Sequence, residues 1–196
     1  MIGDVEGCEL QNILRMAGES ANLNSKEQKF LIFRVKCILY DISKLILFVA
    51  FFAVIHKLSS FIFAFLIFYP IRQISGGLHF KHYFSCLVFS FVYMYLVVAV
   101  LSPLTLGLAV VVPILAACAA VIYAIGPIRP PSRPALSKQE FAEHRKKALS
   151  IVCYEAVLIV LFFDHKLVSA GYWTIILHTL QLVMAFIIKK GGERNA

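Results

Sequence analysis

The stretch Leu104-Thr-Leu-Gly-Leu-Ala-Val-Val-Val-Pro-Ile-Leu-Ala-Ala-Cys-Ala-Ala-Val-Ile-Tyr-Ala-Ile125 runs for 22 residues without a charged side chain. As a helix it is about 33 Å long, enough to cross the roughly 30 Å of hydrocarbon in a bilayer. Five further apolar blocks surround it, at Ile38–Ile55, Leu58–Ile71, Cys86–Leu101, Leu149–Phe163 and Tyr172–Ile188. Of the 196 residues 60% are hydrophobic and only 15% charged, with a mean hydropathy of +0.82. A soluble domain needs about 25% charged residues to cover its surface. The sequence therefore predicts an all-α, polytopic integral membrane protein with about six transmembrane helices. For the shortest block, Leu58–Ile71, bilayer thinning, snorkelling of flanking residues or a partly re-entrant path reconciles its length with a span.

The charges assign the sides. With the N-terminus in the cytoplasm, six Lys and Arg fall in the arm through Lys44, two (Arg72, Lys81) between blocks two and three, six in 126–148 and three in the tail. Only Lys57 and Lys166 remain outside. This bias is the positive-inside pattern, and the opposite orientation would invert it. Both termini are thus expected in the cytoplasm of a cell whose plasma membrane the chain crosses several times. The net charge of +8 reflects that topology and implies contact with anionic lipid head groups. No nucleic-acid-binding motif accompanies it.

Residues 1–36 read as a cytoplasmic or interfacial arm, 37–190 as the membrane-embedded domain and 191–196 as a cytoplasmic tail. In the arm, Leu10, Ile13, Leu14 and Ala17 make one face of a short amphipathic helix suited to lying on the membrane surface. Ser25 with Gln28, and Ser137 with Glu140, have the spacing of capping boxes that open helices. Gly126 to Pro134 contains four prolines and predicts an extended strap within a Pro-rich cytoplasmic loop, 126–137. Asp41 and Lys44 stand at i, i+3, and Pro113 predicts a kink.

Chemistry concentrates in Pro70-Ile-Arg-Gln-Ile-Ser-Gly-Gly-Leu-His-Phe-Lys-His-Tyr-Phe-Ser-Cys86. Ionisable groups at membrane depth are costly, so such a cluster marks a functional site. A thiol attacks a carbonyl as thiolate, and an unperturbed cysteine titrates at about 8.5, so a neighbouring imidazole is needed to take its proton. On one regular helix His79 and Cys86 share a face but stand about 10.5 Å apart along the axis. His82, at i−4 from Cys86, is nearer on such a helix. His79 reaches Cys86 only if the chain bends, and Gly76-Gly77 permits an irregular path.

Other candidates are sparser. Glu155 lies inside the fifth block, where a carboxylate needs a proton or a partner; it either orients a histidine or binds a neighbouring helix. The five cysteines, Cys8, Cys37, Cys86, Cys118 and Cys153, form no CxxC and no Cys/His metal spacing, so neither a metal nor another cofactor is expected. Cys37, Cys118 and Cys153 read as small apolar fillers. His56, His165 and His178 read as interfacial residues near span ends.

The spacing Arg72-x3-Gly76-Gly77-x-His79-x6-Cys86 resembles the signature of the AgrB accessory gene regulator proteins, integral-membrane cysteine endopeptidases of quorum sensing. The similarity extends to chain length, six spans, a cytoplasmic N-terminus and a Pro/Arg-rich second cytoplasmic loop, here Arg129 to Pro134. The resemblance implies Cys86 as nucleophile and His79, rather than His82, as base and then acid. The substrate it implies is a short AgrD-like precursor, cleaved near its C-terminal part and closed through an acyl-enzyme thioester into a cyclic thiolactone or lactone. A homodimer is also implied. Arg72 either orients an acidic precursor tail, supports an oxyanion or snorkels to the interface. Gly76 and Gly77 shape the backbone, and His82 lines the site or faces lipid. The competing readings are a non-catalytic membrane transporter of a peptide or solute, and a purely structural membrane partner.

Overall fold

The structure is a computed structural model that describes residues 25–78, 83–128 and 136–194, with side chains over 39–78, 83–128 and 136–190. The amphipathic helix expected in the arm, His79, His82 and Arg129 to Pro134 lie outside the described residues. The described residues form six helices and no strand. These are α1 (Ser25–Val54), α2 (Leu58–Ser75), α3 (Tyr83–Tyr95, continued by a π-helical segment Leu96–Leu101), α4 (Leu108–Ile125), α5 (Lys138–Leu161) and α6 (Val168–Arg194). The fold is the expected all-α membrane protein. Four stretches are long and apolar enough to cross a bilayer: Leu58–Ser75, Tyr83–Leu101, Leu108–Ile125 and Val168–Lys190. The block that looks too short in the sequence qualifies because its helix continues through Pro70 and Arg72 to Ser75.

The chain divides into two units, 1–50 and 51–196. In the first, α1 runs as helix from Ser25, and Lys44 Nζ stands 3.1 Å from Asp41 Oδ1, as the i, i+3 spacing predicts. In the second, the buried positions recur at helical intervals: Phe61, Ala64, Ile67, Ile71 and Ser75 on α2; Val111, Leu115, Cys118 and Ile122 on α4; Ala148, Val152, Glu155 and Ile159 on α5. Each set is one stripe, and the stripes meet because α6 packs against α2, α4 and α5 while α2 also packs against α5. Between apolar helices in lipid, close approach and polar contacts replace the hydrophobic effect as the source of association. Small residues accordingly line the seams, with Ala64, Ala148, Ala170 and Ala185 all buried. The outward faces carry exposed Leu66, Phe84, Leu161, Ile187 and Ile188, as lipid-facing surfaces do.

Polar contacts fasten one end of this unit. Trp173 Nε1 and the Tyr172 hydroxyl both donate to the Leu104 carbonyl, at 2.9 and 3.1 Å, and the Leu106 amide donates to the Tyr172 hydroxyl at 2.9 Å. Ser102 and Ser169 hydroxyls lie 3.3 Å apart beside them. The opposite end opens α5 with the expected capping box: Ser137 Oγ accepts from the Glu140 amide and Glu140 Oε2 accepts from the Ser137 amide. There too Arg145 lies over the Tyr123 ring at 4.3 Å and donates to the Tyr123 carbonyl at 2.7 Å, tying α5 to the end of α4.

Candidate active site

Gly76 ends α2. Its φ of +75° is a conformation other residues rarely adopt, and its amide closes the last turn on the Arg72 carbonyl at 3.0 Å. A Cβ at this position would run into the carbonyl oxygen of Ile128. Gly76 and Ile128 form an isolated parallel bridge, in which the Ile128 amide donates to the Ser75 carbonyl at 2.9 Å. Gly76 thus lets the chain leaving α2 meet Ile128, near the start of the Pro-rich loop.

Gly77 follows with φ +142° and is buried. Arg72, one turn before the end of α2 and half-buried, donates from Nη2 to the Leu78 carbonyl at 3.1 Å. Its guanidinium carbon lies 5.3 Å from the centre of the Phe68 ring. Arg72 therefore folds back over α2 and clasps the chain leaving Gly77. Cys86 sits in the first turn of α3 and is half-buried, carrying a thiol. Of the residues that the sequence singles out, Arg72, Gly76 and Gly77 are brought together; His79 and His82 lie outside the described residues.

Glu155 is buried on α5, at 5% exposure among apolar neighbours of its own stripe. Its Oε2 has no hydrogen-bond partner among the described residues. Cys118 is buried, as a filler should be, whereas Cys153 is exposed on the outer face of α5. A cysteine is apolar enough for either place, and spacing alone does not separate them.

His178 departs from its interfacial reading. It is fully buried in the middle of α6, with Nε2 at 2.8 Å from Ser75 Oγ. The Ser75 hydroxyl also lies 2.7 Å from the Ile71 carbonyl, and with its proton on that carbonyl it can accept from the Nε2-protonated tautomer of His178. Phe68 sits between these groups, edge-on to the His178 ring at 5.8 Å and against the Tyr93 ring at 4.7 Å. Tyr93 in turn donates to the Thr174 carbonyl at 2.8 Å. One turn beyond His178, Gln181 is also buried. The signal for this cluster is present in the sequence. Thr174, His178 and Gln181 stand at i, i+4, i+7 in an otherwise apolar span, which is a polar stripe facing protein.

Beside the Gly76–Ile128 bridge, a cleft of about 300 Å³ is lined by Ile125, Pro127, Ile128, Phe141 and Phe186, together with Lys189 and Lys190. Its mixture of apolar and cationic groups suits the interfacial zone of an anionic leaflet. No group of three or more His, Cys, Asp or Glu among the described residues is arranged to hold a metal ion.

The family described as AgrB, Accessory gene regulator B, matches residues 10–183. That match covers every helix described above in whole or in part, together with the whole span from Arg72 to Cys86. Comparison with the curated proteins and with the solved structures returns no match.

Proposed function

Because the chain belongs to the AgrB family, whose members serve quorum-sensing peptide maturation, we propose that it is a membrane-embedded cysteine endopeptidase acting on a short AgrD-like precursor. The observation that carries the reading is the family match running through the Arg72–Gly76–Gly77–His79–Cys86 signature. The clasp of Arg72 on Leu78 supports it, since the clasp fixes the chain immediately before His79. The Lys and Arg imbalance supports a cytoplasmic location for this end of the bundle.

His79 takes the proton from Cys86 Sγ, and the thiolate attacks a peptide carbonyl in the precursor. The C–N bond breaks as the C–S bond forms, and the imidazolium returns the proton to the leaving amine. The C-terminal fragment departs, leaving the N-terminal part as a thioester on Cys86. An internal thiol or hydroxyl of the precursor then gives its proton to the neutral His79 imidazole, attacks that thioester and displaces Cys86 as thiolate, so the imidazolium–thiolate pair is restored. The product is the cyclic thiolactone or lactone. Passing an acyl group from one sulfur to another is nearly level in free energy, and a site shielded from water protects the intermediate from hydrolysis.

The test is co-expression with the precursor encoded in an adjacent reading frame. The wild-type protein releases the C-terminal fragment, and Cys86→Ala and His79→Ala reduce release to background. Cleavage by Cys86→Ala removes the mechanism. Cleavage by His79→Ala with loss in His82→Ala transfers the base to His82.

A further inference from the structure

The cleft beside the Gly76–Ile128 bridge has two chemically distinct parts. Its walls are apolar, with Ile125 and Ile128 at and just after the end of α4, Phe141 from α5 and Phe186 from α6. Gly126 lets the Phe141 wall fit, since a Cβ there would stand 2.6 Å from Phe141 Cζ and displace the ring. Lys189 and Lys190 supply the rim. Both are exposed, neither has an ion-pair partner among the described residues, and no carboxylate lines the cleft. Glu140, at the start of α5, is held in the capping box with Ser137. The depth of the rim is equally specific. The apolar run of α6 stops at Ile188, so the two lysines mark the level at which hydrocarbon gives way to head groups. Phe186, Ile187 and Ile188 are exposed just before them, which is a lipid-facing surface leading up to the rim.

We infer that the cleft binds one anionic phospholipid, its phosphate at Lys189 and Lys190 and the top of an acyl chain against Phe186 and Phe141. Lysine ammonium groups bind phosphate as point charges. A zwitterionic lipid carries its own ammonium group beside the phosphate, which the lysines repel, whereas a phosphatidylglycerol brings only the negative charge. At about 300 Å³ the cleft stands at the small end of the range of ligand sites. It therefore takes a head group and the first methylenes, and the rest of the lipid lies along the outward face of α6. Apolar walls opening onto a lipid-facing surface favour this occupant over an acidic peptide, which would satisfy the lysines alone. Ile128 lines the cleft while its amide donates to the Ser75 carbonyl, so a bound lipid touches α4, α5 and α6 and braces their junction with the end of α2. The site stands independently of the peptidase reading.

The test reconstitutes the full-length protein in nanodiscs of phosphatidylcholine with increasing shares of phosphatidylglycerol, re-extracts it in mild detergent and counts retained lipid by mass spectrometry. The native chain retains one phosphatidylglycerol. Lys189→Gln/Lys190→Gln lowers the apparent affinity by about tenfold or more, as loss of two lysine contacts to an anionic lipid predicts. Lys146→Gln/Lys147→Gln removes the same charge from exposed positions of α5 that do not line the cleft, and changes the affinity by less than about twofold. The thermal midpoint is higher in discs containing phosphatidylglycerol than in phosphatidylcholine alone, and Lys189→Gln/Lys190→Gln abolishes that rise. Equal losses from the two double variants overturn the inference, because they report diffuse attraction of charge. Unchanged retention in Lys189→Gln/Lys190→Gln overturns it as well. Millimolar inorganic phosphate that displaces the lipid and reproduces the rise in midpoint would make this an ion site and remove the lipid. An acidic precursor peptide that binds the native chain in phosphatidylcholine discs, but not Lys189→Gln/Lys190→Gln, would give the cleft to a peptide instead.

Discussion

Among the described glycines, Gly76 is the one whose Cβ position lies closest to another backbone atom. Its positive φ costs any L side chain about 1–2 kcal/mol, and the Ile128 carbonyl occupies the space a Cβ requires. Gly76→Ala is expected to destabilise the protein by about 2 kcal/mol or more, read as a lowered thermal midpoint in detergent. Cleavage should fall with it, because the displaced chain includes the carbonyl that Arg72 holds. Gly77, at φ +142°, also holds a backbone conformation that L side chains rarely adopt, so Gly77→Ala is expected to destabilise too, although its Cβ meets side-chain ends rather than backbone; an unchanged midpoint in Gly77→Ala would contradict this account. At this scale the sequence is informative where the residue type has one use. A Gly pair between spans implies unusual backbone, and positive φ is found at both Gly76 and Gly77. It is silent on Ser75, whose hydroxyl gains its meaning from His178, 103 positions away.

The α5 helix separates local from tertiary stabilisation. Its capping box, legible in the spacing of Ser137 and Glu140, satisfies orphan amides at the N-terminus of the helix. Ser137→Ala should cost about 1 kcal/mol and act locally, giving faster amide hydrogen exchange over the first turn from Lys138 and an unchanged cleavage rate. A change in cleavage would mean that the start of α5 does more than cap. The boundaries of α2 were harder to read than those of α5. Hydropathy stops at Ile71, yet the helix persists to Ser75 because Arg72 and Ser75 find partners within the fold, at the Leu78 and Ile71 carbonyls and at His178. The π-helical continuation of α3, where the Ser102 amide reaches back five residues to the Val97 carbonyl at 2.8 Å, leaves no mark in Leu96–Leu101 that differs from an ordinary apolar run.

For the molecule as a whole, the membrane class follows from composition alone, and the distribution of Lys and Arg makes a prediction about its orientation. Single cysteines placed at Lys57 and Lys166 should react with a membrane-impermeant maleimide in intact cells, and one placed at Lys138 only after permeabilisation. The reverse pattern would turn the bundle over and put the Gly76 end outside. What composition does not reveal is the interior of the bundle. Most apolar spans look alike whichever face is turned inward, so the burial of Glu155 emerges only once α5 is packed, whereas that of His178 and Gln181 is marked in the residue pattern by their stripe with Thr174 but not in the composition.

The bridge between Gly76 and Ile128 also sets rules for sequence drift. Ile128 joins it through main-chain groups, so the bridge itself accepts many side chains at that position. Proline is the exception, since it would erase the amide that reaches Ser75. Residue 128 follows Pro127 in a loop that goes on to Pro130, Pro131 and Pro134, so the commonest residue of the neighbourhood is the one barred there. Rigidity in that loop can therefore accumulate on either side of Ile128, and the junction with α2 survives only while 128 itself keeps its N–H.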